Sequence, residues 1–134
     1  MNMINKTVPE SKYKIKADLS KKCLMITMNG FFSEQDAEYA RVQYWDCYNK
    51  NFKNKPFKIL CDAREYKPST KEAQEILNKM SLDTVNEKIV AWAIVSNNSL
   101  GRSQITRMVG VKNFELFTDM EEATGWLNRI PLIS

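Results

Sequence analysis

The chain has 134 residues, of which 43% are hydrophobic and 27% charged, and its net charge is +4 at neutral pH. These values are typical of a single globular domain and exclude a disordered chain, and no apolar run approaches the roughly 20 residues that span a bilayer. The chain contains no histidine, which excludes Ser-His and Cys-His nucleophile pairs and histidine acid–base catalysis.

The three cysteines, Cys23, Cys47 and Cys61, are widely spaced and odd in number. Without histidine they match neither a zinc site nor a disulfide framework, and we expect small buried thiols in a reducing compartment. The polar start of the chain lacks the apolar core of a signal peptide, so the expected location is the cytoplasm. We expect a loose tail over residues 1–10, one domain over 11–130 and a short tail over 131–134.

Two antiparallel strands are predicted at the start of the domain. Apolar and polar residues alternate from Tyr13 to Leu19, which is typical of a strand with one solvent-exposed face. A short turn leads to a second strand, Cys23–Met28, which Asn29-Gly30 ends. Lysines on the first strand suit a solvated sheet edge, although a basic face of this kind also suits an anionic membrane or nucleic acid.

The first helix is predicted from Ser33 to about Asn49, because Ser33 and Asp36 form a helix-start pattern. Its apolar stripe is unusually aromatic. The rings either fill the core between the helix and the sheet or form the wall of an apolar cleft, and the sequence leaves both interpretations open.

The third strand is predicted over Phe57–Cys61, ending at Asp62, with Ala63–Lys67 as a polar crossover. Ser69 and Glu72 form a second helix-start pattern, and the helix that follows has an apolar face that ends near Met80.

The most apolar stretch, Ile89–Val95, predicts a strand buried on both faces, which requires cover on both sides of the sheet. Ser96–Ser99 would form the turn at its carboxyl end, where open α/β sheets bind their ligands. The remaining predicted elements are a short helix over Leu100–Val109, a strand over Phe114–Phe117, and a last helix that begins with the pattern Thr118 and Glu121 and ends before Pro131.

The element order is therefore β-β-α-β-α-β-α-β-α. It predicts an α/β fold in which a mainly parallel five-stranded sheet has an antiparallel first strand and helices packed on its faces.

Four segments in this order resemble the SpoIIAA-like proteins, relatives of the STAS domain of anti-anti-sigma factors. The segments are Leu24–Phe32 before the first helix, Ile59–Arg64, Ala91–Ser99 followed by Leu100-Gly101-Arg102, and the ending Phe117–Leu127, which is similar to that family's closing F-D-x-x-E-A-x-x-W-L. The resemblance covers about Tyr13–Leu127.

The resemblance implies a non-enzymatic module with a STAS-like fold that binds protein partners. Some STAS domains switch by phosphorylation of a serine at the start of the helix after the third strand, which here falls at Ser69 and Thr70. The chain lacks the Asp and the Gly of the anti-anti-sigma pattern Asp-Ser-Ser/Thr-Gly. The SpoIIAA-like branch generally lacks this pattern, and it is thought to bind apolar ligands or to associate with membranes through movable helices.

Two candidate sites follow, and neither includes a catalytic residue, a metal ion or a cofactor. The candidates for an apolar cleft are Phe31, Phe32, Tyr44, Trp45, Tyr48, Leu100, Ile105 and Met108. The candidates for a polar or anion site at the carboxyl end of the sheet are Asp62, Arg64, Asn97, Asn98, Ser99 and Arg102, with helix N-termini supplying free N–H groups; alternatively, Asp62 and Arg64 pair with each other.

We therefore expect a non-catalytic binding or regulatory module that binds an apolar or lipid ligand or contacts a membrane peripherally. The alternative is a switch for a protein partner through phosphorylation at Ser69 or Thr70. No nucleic-acid motif is recognisable, and homodimer formation through an exposed helix face stays open.

Overall fold

The computed structural model describes residues 12–67, 69–84, 87–97 and 113–132. Within these ranges the elements, in chain order, are strand β1 (Tyr13–Asp18), strand β2 (Cys23–Phe31), helix α1 (Glu34–Asn51), strand β3 (Phe57–Lys67), helix α2 (Lys71–Thr84), strand β4 (Ile89–Val95), strand β5 (Phe114–Phe117) and helix α3 (Met120–Arg129). The predicted tail over 1–10 and the predicted helix over Leu100–Val109 lie outside the described residues.

The five strands form one sheet in the order β1-β2-β3-β4-β5. β1 is antiparallel to β2, and every other neighbouring pair is parallel. This arrangement confirms the predicted α/β fold, including its antiparallel first strand. Strand β4 has the predicted bounds, and it is covered on both faces because its alternate side chains enter two separate cores.

Helices α1 and α2 cover one face of the sheet. The buried apolar residues of α1 are Ala37, Ala40, Tyr44 and Tyr48, which recur at intervals of three and four and so lie on one side of the helix. They pack with the inward side chains of β1 to β4 in the larger core. Helix α2 packs mainly against α1.

Helix α3 covers the other face and packs on β4, β3 and β5. The contact is lined by small side chains, Ala91 and Ala93 from β4 and Ala123 from α3, together with Leu127. Because alanine projects little from the backbone, the helix lies directly on these strands.

The helix-start pattern at Ser33 is confirmed. Asp36 N donates to Ser33 Oγ at 3.2 Å, and Ser33 N donates to Asp36 Oδ2 at 2.9 Å, which is a complete capping box. Lys12 Nζ also lies 2.8 Å from Asp36 Oδ2, so this buried carboxylate joins the residue before β1 to the start of α1.

The other two predicted caps are wrong by one residue. Helix α2 is capped by Thr70, whose Oγ1 accepts from Ala73 N at 3.1 Å, because the hydroxyl of Ser69 is already bonded to that of Tyr66. Helix α3 is capped by Asp119 instead of Thr118, and a carboxylate is favoured at the positive end of the helix dipole.

Two predicted strand ends are also wrong. β2 continues through Asn29-Gly30 to Phe31, since Gly30 adopts φ +80° and keeps the strand paired with β3. β3 continues past Asp62 to Lys67, so Ala63–Lys67 is strand and not crossover. The polar residues of this extension are exposed, and β2 supplies its backbone partners.

Candidate functional site

A cavity of about 110 Å³ lies between the sheet and helices α1 and α2. Strands β1 to β4 form its floor, and α2 with Tyr44 of α1 forms its roof. Most of the lining is apolar, as in small-molecule sites generally. The described residues that line it are Tyr13, Ile26, Met28, Tyr44, Cys61, Ala63, Tyr66, Gln74, Leu77, Asn78, Met80, Ser81, Thr84, Trp92 and Ile94.

A β-bulge places two residues of β3 on the cavity side. Thr27 pairs with Asp62 but Asn29 pairs with Glu65, so β3 has one extra residue between these pairs. Ala63 and Tyr66 are three positions apart and would face opposite sides of a regular strand. Because of the extra residue both line the cavity, and a bulge commonly redirects a side chain in this way.

Three hydroxyls of the roof, those of Tyr44, Ser81 and Thr84, have hydrogen-bond partners. The hydroxyls of Tyr44 and Thr84 lie 2.9 Å apart, and Ser81 Oγ donates to the carbonyl oxygen of Leu77 at 3.1 Å. Burial raises the pKa of Tyr44, although its bond to Thr84 opposes the shift, so the phenol is neutral. These hydroxyls therefore hold the roof together.

Two polar groups of the floor have no partner among the described residues. Tyr13 is 3% exposed and Trp92 is 7% exposed, yet Tyr13 Oη and Trp92 Nε1 each lack a hydrogen bond. Burial raises the pKa of Tyr13 well above that of a free tyrosine, so its hydroxyl keeps its proton. An unpaired buried polar group costs about 1–3 kcal/mol, and such groups are rare in native proteins.

Cys61 contributes a thiol to the wall of the cavity. Burial raises its pKa to about 12, so the thiol is protonated at neutral pH and is a poor nucleophile. Its place among apolar side chains agrees with the expected buried thiol.

Among the residues predicted for an apolar cleft, Tyr44 alone lines the cavity within the described part of the chain. Phe32 is fully buried with its ring 5.6 Å from that of Tyr66, whereas Phe31 is 48% exposed. Trp45 packs edge-on against Tyr44 and Tyr48 along α1. Leu100, Ile105 and Met108 lie outside the described residues.

Of the residues predicted for an anion site, Asp62, Arg64 and Asn97 lie within the described part of the chain. Arg64 binds Asp62 through two side-chain hydrogen bonds of 2.9 and 2.8 Å, which is the alternative in which the two charges pair. These bonds lower the pKa of the Asp62 carboxyl. Asn97 is exposed beyond β4, and Asn98, Ser99 and Arg102 lie outside the described residues.

The two predicted phosphorylation candidates differ in accessibility. Ser69 is 8% exposed, and its Oγ lies 2.5 Å from Tyr66 Oη. Thr70 is half-buried, and its Oγ1 is engaged as the cap of α2.

Sequence reasoning missed most of the cavity lining, above all Tyr13, Tyr66 and Trp92. The sequence pattern could have identified two of them, because Tyr13 and Trp92 face the core from predicted strands: Tyr13 from the alternating strand β1 and Trp92 from the apolar strand β4. No pattern in the sequence predicts the β-bulge that turns Tyr66 towards the cavity.

Within residues 12–67, 69–84, 87–97 and 113–132, no three Cys, Asp or Glu side chains are grouped as metal ligands. In the same part of the chain, no helix is both long enough and apolar enough to cross a bilayer.

The fold is similar to two solved structures. An uncharacterized protein of the DUF3478 family from Shewanella loihica PV-4, described as having a SpoIIAA-like fold, matches with a TM-score of 0.67 and 18% identity over 86% of this chain and 91% of that chain. The anti-sigma factor antagonist SpoIIAA in its unphosphorylated form matches with a TM-score of 0.59 and 12% identity, over 88% of this chain and 99% of that chain. The resemblance to a SpoIIAA-like fold is therefore confirmed.

No curated protein sequence matches the chain at a significant level. The family model described as a domain of unknown function, DUF7793, matches residues 42–131, and the chain therefore belongs to the DUF7793 family.

Proposed function

We propose that this chain is a non-catalytic, STAS-like binding module that holds a small apolar ligand in the cavity between α2 and the sheet. One observation carries the proposal. The cavity has an apolar lining, and Tyr13 Oη and Trp92 Nε1 at its floor are buried without partners. An occupant would fill the space and supply the missing acceptors.

The size of the cavity limits the ligand. An engineered cavity of about 150 Å³ in another protein stays dry and binds benzene, so a space of about 110 Å³ suits a ligand with one ring or a short chain. A larger ligand would need α2 to move outwards. Such movement is compatible with the packing of α2, whose main neighbour is α1.

The two unpaired groups indicate which ligand atoms are favoured. An indole N–H can only donate, and a neutral phenol can donate as well. Neither atom reaches solvent, so each ring is expected to turn slightly towards an acceptor on the ligand. We therefore expect an apolar body with at least one carbonyl, ether or hydroxyl oxygen.

The test is native mass spectrometry of the protein purified from its own cells, before and after extraction with organic solvent. We expect an additional small-molecule mass that extraction removes. The substitution Ala63→Val adds two methyl groups to the cavity floor and should reduce the fraction of ligand-bound protein. Ala17→Val is the matched control, because Ala17 is half-buried on the same face of the sheet and is not among the described residues that line the cavity.

Absence of any co-purifying small molecule would contradict the proposal. So would equal ligand occupancy in the Ala63→Val and Ala17→Val proteins, because that result would locate the ligand elsewhere. A bound mass of phospholipid size would instead favour peripheral membrane association.

A second candidate function is regulation of a protein partner, supported by the similarity in fold to the anti-sigma factor antagonist SpoIIAA. Its site would be the start of α2. Phosphorylation of Ser69 would break its bond to Tyr66, whereas Thr70 is more accessible. Peptide mapping of protein isolated from its own cells tests this function, since an added phosphoryl group on Ser69 or Thr70 is required.

A further inference from the structure

A groove runs along the α3 side of the sheet, on the face opposite the cavity. It consists of two depressions of about 230 and 320 Å³, and both include Met25 and Leu60. Helix α3 forms one wall through residues that extend from Met120 to Asn128. We refer to this feature as the α3-side groove.

The groove exists because α3 covers only part of the face of the sheet on which it packs. The helix packs on β4, β3 and β5, and its neighbours do not include β1 and β2 to a comparable extent. The alternate residues of β1 and β2 that face this side are therefore only partly covered. Lys14 and Lys16 are exposed, and Met25 and Thr27 are half-buried.

Positive charge dominates the lining of the groove. Its lysines are Lys14, Lys16, Lys21 and Lys58, which we call the groove lysines. The acidic residue of the lining is Asp62, and its carboxylate is already bound by Arg64. Asp18 lies on the same side of β1, but its carboxylate accepts hydrogen bonds from Ser20 Oγ and Lys21 N in the turn.

Lys58 is the least ordinary of these lysines because it is only 7% exposed. Its Nζ donates to the carbonyl oxygen of Leu127 near the end of α3. No ion pair of the described residues includes it, although buried lysines are rarely found without a carboxylate. An ammonium has three protons, so donors remain for an incoming anion.

We propose that the α3-side groove binds an extended acidic segment of a partner protein, with apolar side chains on Met25 and Leu60 and carboxylates opposite the groove lysines. The site is separate from the ligand cavity, since the sheet lies between them. The interaction therefore does not depend on the function proposed above.

The shape and lining of the groove favour a peptide over other anionic partners. Leu60 in the floor is buried, and a flat bilayer surface would contact the rim and not the floor. The described residues that line the groove include no aromatic ring, whereas proteins that bind single-stranded nucleic acids stack bases on aromatic side chains. A groove with an apolar floor and a basic rim fits an extended chain that carries both apolar and acidic side chains.

The test measures fluorescence anisotropy of a labelled octapeptide of alternating glutamate and leucine, at about 0.15 M salt to screen distant charges. Octapeptides with glutamine or lysine in place of glutamate are the matched probes. The variant Lys14→Glu/Lys16→Glu reverses two exposed charges in the groove. The control Lys53→Glu/Lys55→Glu reverses two exposed charges in the loop after α1 and gives the same net charge.

We expect the glutamate peptide to bind and the groove variant to weaken its binding about tenfold, with a change of less than about twofold in the control. The glutamine and lysine peptides should bind more weakly than the glutamate peptide. Circular dichroism of each variant checks that it is folded.

Three results would overturn the proposal. The first is no binding of the glutamate peptide up to millimolar concentration, and the second is equal weakening by the two double variants. The third is binding of phosphatidylserine vesicles or duplex DNA that is tighter than peptide binding and is lost in the groove variant, which would assign the surface to those partners.

Discussion

Tyr13→Phe and Tyr44→Phe should change the stability of the ligand-free protein in opposite directions. Both tyrosines line the cavity and are almost fully buried, at 3% and 2% exposure. Their hydroxyls differ, since that of Tyr44 lies 2.9 Å from Thr84 Oγ1 while that of Tyr13 has no partner in the described part of the chain. The same chemical change therefore removes a hydrogen bond in one case and an unpaired buried group in the other.

The expected difference in the free energy of unfolding is about 2 kcal/mol. Removing an unpaired buried hydroxyl avoids a desolvation cost of about 1–3 kcal/mol, so Tyr13→Phe should stabilise the protein by about 1 kcal/mol. Losing the bond to Thr84 should destabilise it by about 1 kcal/mol. With a urea dependence of about 2 kcal/mol per molar, the two midpoints should differ by about 1 M.

The assay is urea unfolding of extracted, ligand-free protein, followed by circular dichroism. If Tyr13→Phe is as destabilising as Tyr44→Phe, the hydroxyl of Tyr13 has a partner and the reasoning is refuted. The Tyr13→Phe variant should also bind the co-purifying ligand more weakly, because it removes the hydroxyl that we expect to turn towards the ligand and donate a hydrogen bond to it.

Three further predictions concern charged groups and thiols. Asp36→Ala should lower stability by about 1–2 kcal/mol in urea unfolding at neutral pH, because it removes the capping box and the ion pair with Lys12. Burial alone would raise the pKa of Asp36, but hydrogen bonds from Lys12 and from the start of α1 outweigh burial and lower this pKa. The stability that Asp36 contributes should therefore be present above about pH 4 and be lost as the pH falls through the lowered pKa. If Asp36→Ala lowers stability equally in strong acid, this explanation is wrong. Iodoacetamide should modify the half-buried Cys47 before Cys61, because burial raises the pKa of Cys61 to about 12. Peptide mapping by mass spectrometry measures the order of modification, and modification of Cys61 first would contradict the prediction. Lys58→Met should change the free energy of unfolding in urea by less than about 1 kcal/mol, because methionine keeps most of the apolar length of the side chain and removes its desolvated charge. A loss above about 3 kcal/mol would contradict this and would show that the fold requires the hydrogen bond to the end of α3.

The two faces of the sheet suggest a division of roles. On one side, large side chains from α1 and the strands hold α2 away from the sheet and leave the cavity. On the other side, alanines let α3 approach the strands closely, and the helix covers only three of the five. The cavity and the α3-side groove are therefore consequences of how each helix layer fits its face.

Local patterns in the sequence determined much of the fold. The alternation after Tyr13 and the apolar run Ile89–Val95 identified an edge strand and a doubly covered strand, because side-chain periodicity depends only on neighbouring residues. The capping box of Ser33 and Asp36 could be predicted for the same reason, since both of its partners lie within one helical turn.

The candidate site depended on contacts that no local pattern records. The lining of the cavity combines residues from β1, β4 and α2 that are far apart in the chain, and its volume depends on how far α2 stands from the sheet. Whether Ser69 capped a helix was decided by Tyr66, which the bulge in β3 had turned to the same side. Sequence periodicity fixes which face a side chain takes, but only the packing of distant elements decides whether that face is filled, paired or left open.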